Sequence, residues 1–279
     1  MRQRGYFRKQ VQRLRRAWRR KRADVHVVSY PKCGRTWLVL LIGKTLQLHF
    51  DLRVRNLLRL RAMASKRRGI PYILQHHDGG PEFRRPEELI RDKSFYRDRK
   101  VVFLVRDPRD VLVSSYFQKV RRNNDYQGTL GDYVHEPVGG IETIIAFFNI
   151  WARNRDVPRD FLLVTYEDLH RDTHGELRRV IDFLGLAHVS DDTLAQAVEY
   201  SRFDNMRRIE AENQFGTSAL SARDQSDETT YKTRKGEVGG YREHLAAAEI
   251  EYIDRAIDAR LDPLYAHYRT SAAAADDDS

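Results

Sequence analysis

The sequence has a single cysteine, Cys33, which excludes an internal disulfide framework and a thiolate metal cluster. It has no apolar run near the ~18 residues that spanning a bilayer requires. Basic residues open the chain but no apolar stretch follows them, so no secretory leader is expected. Residues 1–22 contain no acid at all, against nine Arg and two Lys. Taking those eleven charges from the chain's +10 leaves −1 for residues 23–279. The basicity therefore belongs to one short arm, and the near-neutral body argues against a nucleic-acid surface on the folded part. No nucleic acid is expected as a partner. A chain of 279 residues, 41% hydrophobic and 32% charged, can bury one sizeable core. A reduced, cytoplasmic enzyme is the expectation.

Within the arm, Phe7, Val11, Leu14 and Trp18 fall on one stripe of an otherwise cationic helix. Three readings of residues 1–22 stay open. The stripe packs on the body, lies on an anionic membrane surface as a peripheral contact, or holds an acidic polymer.

Beyond it, short β-branched runs alternate with helical patterns. Strands are predicted at Asp24–Tyr30, Tyr72–Leu74, Lys100–Val105 and Phe161–Thr165. Helices are predicted at Trp37–Leu48, Asp110–Arg122, Ile141–Arg155, Gly175–Leu184 and Leu245–Leu261. That alternation predicts an α/β fold with a mostly parallel central sheet between helical layers. Residues 211–240 read as a long loop that orders on binding. The expected organisation is an arm at 1–22, a domain at 23–268 and a disordered tail at 269–279.

The first chemical signal is VVSYPKCGRTW at 27–37. A strand enters a Pro/Gly turn and a helix opens at about Arg35, so backbone N–H groups and a helix N-terminus converge on one anion. Lys32 adds a charge and Thr36 a hydroxyl. Gly43-Lys44-Thr45 looks like the end of a Walker A loop, but Leu38 stands where its first glycine would fall and Gly43 sits inside an apolar helical pattern. The second signal is VVFLVRDPRDVLVSSYF at 101–117, a strand ending in Arg106 before a helix with an early proline. A guanidinium there could grip two phosphate oxygens at once. Alternatively, Arg106 simply pairs with Asp110.

YPKCGRTW resembles the 5′-phosphosulfate loop, YPKSGTTW, of the sulfotransferases that use 3′-phosphoadenosine 5′-phosphosulfate (PAPS). Cys33 and Arg35 depart from that pattern; both positions chiefly offer backbone N–H, although Cys33 at a helix start could also be a partly activated thiol. The resemblance implies a P-loop-like sulfotransferase fold. It also implies that Arg106 and Ser114 bind the nucleotide's 3′-phosphate. RKGEVGGYREHL is similar to the family's closing segment, which implies that Arg234, Lys235 and Gly236 cover the same phosphate. TYEDL and SRFDNM resemble further family segments, implying Tyr166, Ser201 and Phe203 around the adenine, with Trp37 as a stacking partner. The co-substrate implied is PAPS, with no metal. A homodimer is possible, although the family's dimer segment reads Ala246-Ala247 at its centre.

ILQHHDG at 73–79 resembles the family's strand-end K-T-H segment and its T-H-D-G variant. The alignment puts a catalytic base at His77, with Gln75 in place of a lysine used near the sulfuryl group. Histidine suits the task because its neutral form is available near pH 7. The pair His76-His77 could also be surface loop residues or metal ligands, although no third ligand is apparent. Lys32 would stabilise the departing phosphate, and Ser114 would restrain Lys32. The acceptor would be a hydroxyl or amine of a glycan, glycolipid or small molecule. Against this stand a P-loop kinase or NTPase and a basic-arm protein that binds membranes or nucleic acid.

Overall fold

The computed structural model describes residues 18–221, 231–233 and 236–270. Its first strand, β1 (Val25–Ser29), is buried at every position, as a run of β-branched residues covered on both faces should be. Helix α1 (Arg35–His49) follows, then the single turn α2 (Leu60–Met63), β2 (Ile73–His76) and β3 (Lys100–Val105). The middle of the chain forms α3 (Pro108–Phe117), a π-helical segment at Gln118–Asn123, α4 (Leu130–Val134) and α5 (Ile141–Arg153). After β4 (Asp160–Thr165) come α6 (Tyr166–Arg171), α7 (Thr173–Phe183), α8 (Asp191–Tyr200), α9 (Phe203–Ala211) and α10 (Ala247–Arg260).

The four strands lie in the order β2-β1-β3-β4, all parallel, with Val25 level with Ile73 on one side and Lys100 on the other. Lys100 is in turn level with Asp160. The sheet is thus wholly parallel, flanked by helices, as the alternating pattern predicted. Its carboxyl edge gathers Ser29, His76, Val105 and Thr165, and the segments after them are where an open α/β sheet presents a binding crevice. In the core, Phe103 of β3 packs against Phe147, Phe148 and Trp151 of α5, all buried.

The differences from the sequence reading have local causes. Helix α3 starts before Asp110, because the Asp107 carboxylate caps it by accepting from Arg109 N at 2.8 Å and Pro108 fits the first turn. The predicted helix to Arg122 changes to π-helix after Phe117. Gly43 has no role in a loop: a Cβ there would lie 2.1 Å from the Leu57 carbonyl oxygen, so glycine lets the backbone of the 56–59 turn press on α1. Helices α8 and α9 were not foreseen, although Ser190 caps α8 by accepting from Thr193 N. At the end of the domain, Thr270 N donates to Asp258 Oδ1 at 3.0 Å, so Arg269 and Thr270 belong to the folded part. Residues 271–279 of the expected tail lie outside the described residues.

Phe7, Val11 and Leu14 of the arm also lie outside them. The arm's last residues, 18–22, are helical and meet the body. Arg20 donates to Asp78 Oδ1 at 3.2 Å and to the Tyr96 hydroxyl at 2.9 Å, while Arg22 covers Trp18 and Tyr72. Trp18 stays 56% exposed. Among the described residues no helix is long and apolar enough to cross a membrane.

Candidate active site

Between β1 and α1 the chain makes an abrupt turn through two left-handed residues, Lys32 (φ 74°) and Gly34 (φ 87°). Gly34 is the N-cap of α1. A Cβ at Gly34 would sit 2.6 Å from Tyr166 Cδ2, so both the conformation and the close approach demand glycine. Such a turn presents successive N–H groups beside a helix N-terminus. Lys32 Nζ donates to Gln118 Oε1 at 3.0 Å. Gln118 opens the π-helical segment one turn beyond Ser114, so a residue the sequence reading had not singled out holds the amine.

Cys33 is fully buried in the core and burial pushes its thiol far up. It contributes backbone to the loop and no side chain to the cavity. The reading of Cys33 as an activated thiol is thereby set aside: desolvation outweighs the helix N-terminus.

The loop forms one wall of a cavity of about 580 Å³. Lys32, Gly34, Arg35, Thr36, Trp37, His77, Arg106, Ser114, Tyr166, Ser201, Phe203 and Gly236 all line it. Residues from the start of the domain and from its last quarter are thus brought to one place. Arg234 and Lys235 lie outside the described residues.

Arg106 both pairs and faces the cavity. Its Nη2 donates to Asp110 Oδ2 at 3.2 Å and to the Glu237 carbonyl at 2.8 Å, and its guanidinium lies 4.4 Å over the Tyr166 ring. The Tyr166 hydroxyl donates to the Gly236 carbonyl at 2.9 Å. Gly236 is left-handed, and a Cβ on it would come within 2.8 Å of the Phe203 ring. Tyr166 follows β4 directly as the first residue of α6, whose N-cap hydroxyl, Thr165 Oγ1, accepts from Asp168 N at 2.9 Å. Trp37 packs edge-on to Tyr166 and His170.

The two histidines divide cleanly. His76, the last residue of β2, accepts from Asp78 N at 3.0 Å and meets His26 Nδ1 at 3.0 Å. Burial, and then the neighbouring His26, hold its pKa well below 6.5. His77 lines the cavity, with Nδ1 2.9 Å from the Ser29 carbonyl. Only a protonated Nδ1 can make that bond, so Nε2 carries the free lone pair. Burial, followed by the charge of Arg35, lowers the His77 pKa well below 6.5, which keeps the ring neutral. Asp78 is locked by Lys93 Nζ at 2.7 Å and the Tyr96 hydroxyl at 2.6 Å, which fixes the turn that aims His77. Neither surface histidines nor a metal pair describes this arrangement.

Four residues lining this cavity each have a side-chain atom that is shut off from solvent and has no hydrogen-bond partner among the described residues: Arg35 Nη1, Glu82 Oε2, Arg106 Nε and Ser201 Oγ. Buried donors are seldom left unpaired. Arg35 Nη1, Arg106 Nε and Ser201 Oγ are donors, or can be, so they fit an anionic, nucleotide-like molecule; Glu82 Oε2 is an acceptor, on a carboxyl whose pKa burial raises. Glu82 and Lys232 also face the cavity; neither stands in a recognisable motif, so sequence spacing gave no sign of them. Gln75 is turned away, its Nε2 donating to the Leu58 carbonyl at 2.7 Å.

Comparison with known proteins agrees with this geometry. The sulfotransferase domain family matches residues 22–265. Mouse sulfotransferase 2A1 is 27% identical over 265 residues, covering 92% of this chain and 90% of that protein. Mouse sulfotransferase 2A6 is 30% identical over 243 residues, covering 83% and 82%. Among solved structures, mouse sulfotransferase SULT7A1 complexed with PAP, the 3′,5′-adenosine bisphosphate left by PAPS, superposes with a TM-score of 0.62 at 20% identity, covering 87% of this chain and 86% of that one. Retinol dehydratase in complex with androsterone and PAP gives 0.60 at 19% identity, covering 86% and 81%.

Proposed function

This chain belongs to the sulfotransferase family, and from that premise we propose how its residues share the transfer of a sulfuryl group from PAPS to an acceptor hydroxyl. The donor supplies an activated sulfuryl group whose leaving group is a phosphate, so the protein has two tasks: to neutralise charge on that phosphate and to take the acceptor's proton. The loop N–H groups from Lys32 to Thr36, the Lys32 amine and the Thr36 hydroxyl serve the first. Arg106 and Ser114 hold the 3′-phosphate, with Arg234, Lys235 and Gly236 closing over it. Trp37, Tyr166, Ser201 and Phe203 surround the base. Gln118 positions Lys32, and Ser114 one turn earlier shares that role.

His77 is the general base. Its Nδ1–H is committed to the Ser29 carbonyl, which leaves Nε2 to accept the proton from the acceptor hydroxyl or amine. A neutral ring is what a base requires before reaction.

The observation that carries this reading is the convergence of Lys32, His77, Arg106 and Ser201 on one cavity with unpartnered buried donors in its wall. A P-loop kinase is disfavoured because the one Walker-like triplet lies inside α1, with Gly43 pressed on Leu57. Titration with 3′,5′-adenosine bisphosphate against ADP tests the reading. Clear preference for the 3′-phosphorylated ligand supports it, and equal binding rejects it. A His77→Ala protein that binds the bisphosphate normally yet turns over at the parent rate would remove His77 from the base position.

A further inference from the structure

A second cavity, of about 340 Å³, opens beside the first and shares Arg35, Thr36 and Lys232 with it. Among the described residues its other charged lining residues are Arg59 and Arg61, and no Asp or Glu lines it. The sequence around it is equally one-sided: residues 52–77 contain seven Arg or Lys and no acid.

Its floor is fixed. Gln75 Nε2 donates to the Leu58 carbonyl at 2.7 Å, Leu58 N donates to Asn56 Oδ1 at 3.0 Å, and Asn56 Nδ2 donates to the Phe215 carbonyl at 3.0 Å. These bonds tie the 56–59 turn to β2 and to the 213–216 turn, and the contact between Gly43 and Leu57 ties it to α1. Arg59 is therefore presented from a braced turn, and Arg61 from the helical turn α2 that follows it.

Guanidinium groups gathered on one wall repel one another, and a desolvated guanidinium nitrogen without a partner is costly. Arg35 Nη1 is such a nitrogen, at the junction of the two cavities. Among the described residues, neither Glu210 nor Glu82 lines the second cavity. Glu210 accepts from the backbone N of Lys232 and Thr233 at 2.5 and 2.9 Å, and Glu82 faces the first cavity only.

We propose that this second cavity is the acceptor site and that the acceptor carries an anionic group, a carboxylate, sulfate or phosphate ester, received by Arg59 and Arg61 while Arg35 and Lys232 flank its path to His77. The proposal rests on the sulfotransferase reading and narrows its substrate class. The acceptor's hydroxyl reaches past Arg35 and Thr36, which both cavities share, to His77 in the first cavity, and its anionic group lies away from the reacting centre. Arg59 and Arg61 are binding residues in this scheme. They take no part in proton transfer.

The test uses two fluorescent dyes of matched shape, anionic 1-anilinonaphthalene-8-sulfonate and neutral N-phenyl-1-naphthylamine, with the full chain saturated by 3′,5′-adenosine bisphosphate. The bisphosphate fills the nucleotide cavity, so the dyes report on the second one. The anionic dye should bind the parent more tightly than the neutral one. An Arg59→Gln/Arg61→Gln protein should lose about tenfold in affinity for the anionic dye, as expected for two charge-assisted contacts. Its affinity for the neutral dye and for the bisphosphate should stay within about twofold. Unchanged binding of the anionic dye by the double variant overturns the proposal, as does equal binding of the two dyes by the parent. Should the bisphosphate itself fail to bind the parent, the nucleotide reading falls, and the loss of anionic-dye affinity in the double variant, measured without it, then decides only whether Arg59 and Arg61 receive an anion.

Discussion

The hydroxyl of Tyr166 donates to the carbonyl of Gly236 at 2.9 Å, across seventy positions of sequence. The same ring lies under the Arg106 guanidinium and against Gly34. One side chain thus touches the turn between β1 and α1, the arginine after β3 and Gly236 in the cavity wall. Replacing the hydroxyl alone, as Tyr166→Phe, removes one hydrogen bond worth about 1 kcal/mol. The bisphosphate affinity should fall about fivefold with little change in Tm, measured by calorimetric titration and melting. An unchanged affinity would show that this bond does not support the site.

Arg106→Ala should weaken the bisphosphate by about tenfold to a hundredfold, the value of a charge-assisted contact to phosphate. AMP, which has no 3′-phosphate, should lose far less. Comparing the two ligands on the variant separates loss of the phosphate contact from general loosening around Asp110. Equal losses for both would argue that Arg106 acts only through its ion pair.

The pH dependence follows from His26, His76 and His77. Burial lowers all three, His26 to about 3. In the unfolded chain each titrates near 6.5. Their contribution to stability is therefore complete above pH 6.5, where both states are neutral. It is lost as the pH falls below 6.5, because only the unfolded state then takes up protons. Melting experiments should show Tm declining from pH 6.5 downward. In activity, His77 should remain deprotonated well below pH 6.5, so the acid limb of kcat/KM should lie below the value of a free imidazole. A limb at 6.5 would contradict the burial of His77.

Cys33 should be inert in the folded protein. It is fully buried and its thiol is raised far above the ordinary range, so the thiolate needed for reaction is scarce. Ellman's reagent at pH 8 should find no thiol in the native protein and one after denaturation. Rapid native labelling would refute the packing of the loop.

Gly43→Ala should destabilise the protein by about 1–3 kcal/mol, the usual cost of overpacking, since the added carbon meets the Leu57 carbonyl at 2.1 Å. Affinity for the bisphosphate per folded molecule should be unchanged. Urea unfolding combined with titration distinguishes this from a phosphate-loop role, in which affinity would collapse first.

What the sequence made legible was whatever is encoded locally. The run Lys100–Val105 has no alternative to a buried strand, and the turn at Lys32–Gly34 announces itself through glycine followed by a helical pattern. Those features bring Lys32, Arg106 and His77 to the sheet's carboxyl edge because parallel strands end on the same side. Pairings between remote segments were not legible. Nothing near Gln118 says that it will meet Lys32, eighty-six positions away, and nothing at Arg35 says that its side chain, beyond its N–H, will face both cavities. Helices α8 and α9 escaped notice because their apolar positions are few, so caps and tertiary burial decide them more than periodicity does. Cys33 was misleading for a related reason: position at a helix start is visible in sequence, whereas desolvation is not.

Asp110 has a wider consequence. Its two oxygens accept from Gly239 N and Tyr241 N at 2.9 Å each, while Oδ2 also pairs with Arg106. Arg106 and the segment at 239–241 thus share a fulcrum, and sequence drift in that segment must preserve two amide hydrogens aimed at the carboxylate. If the second cavity receives the acceptor as proposed, diversification toward new acceptors is freer at Arg59 and Arg61, which line that cavity and not the first.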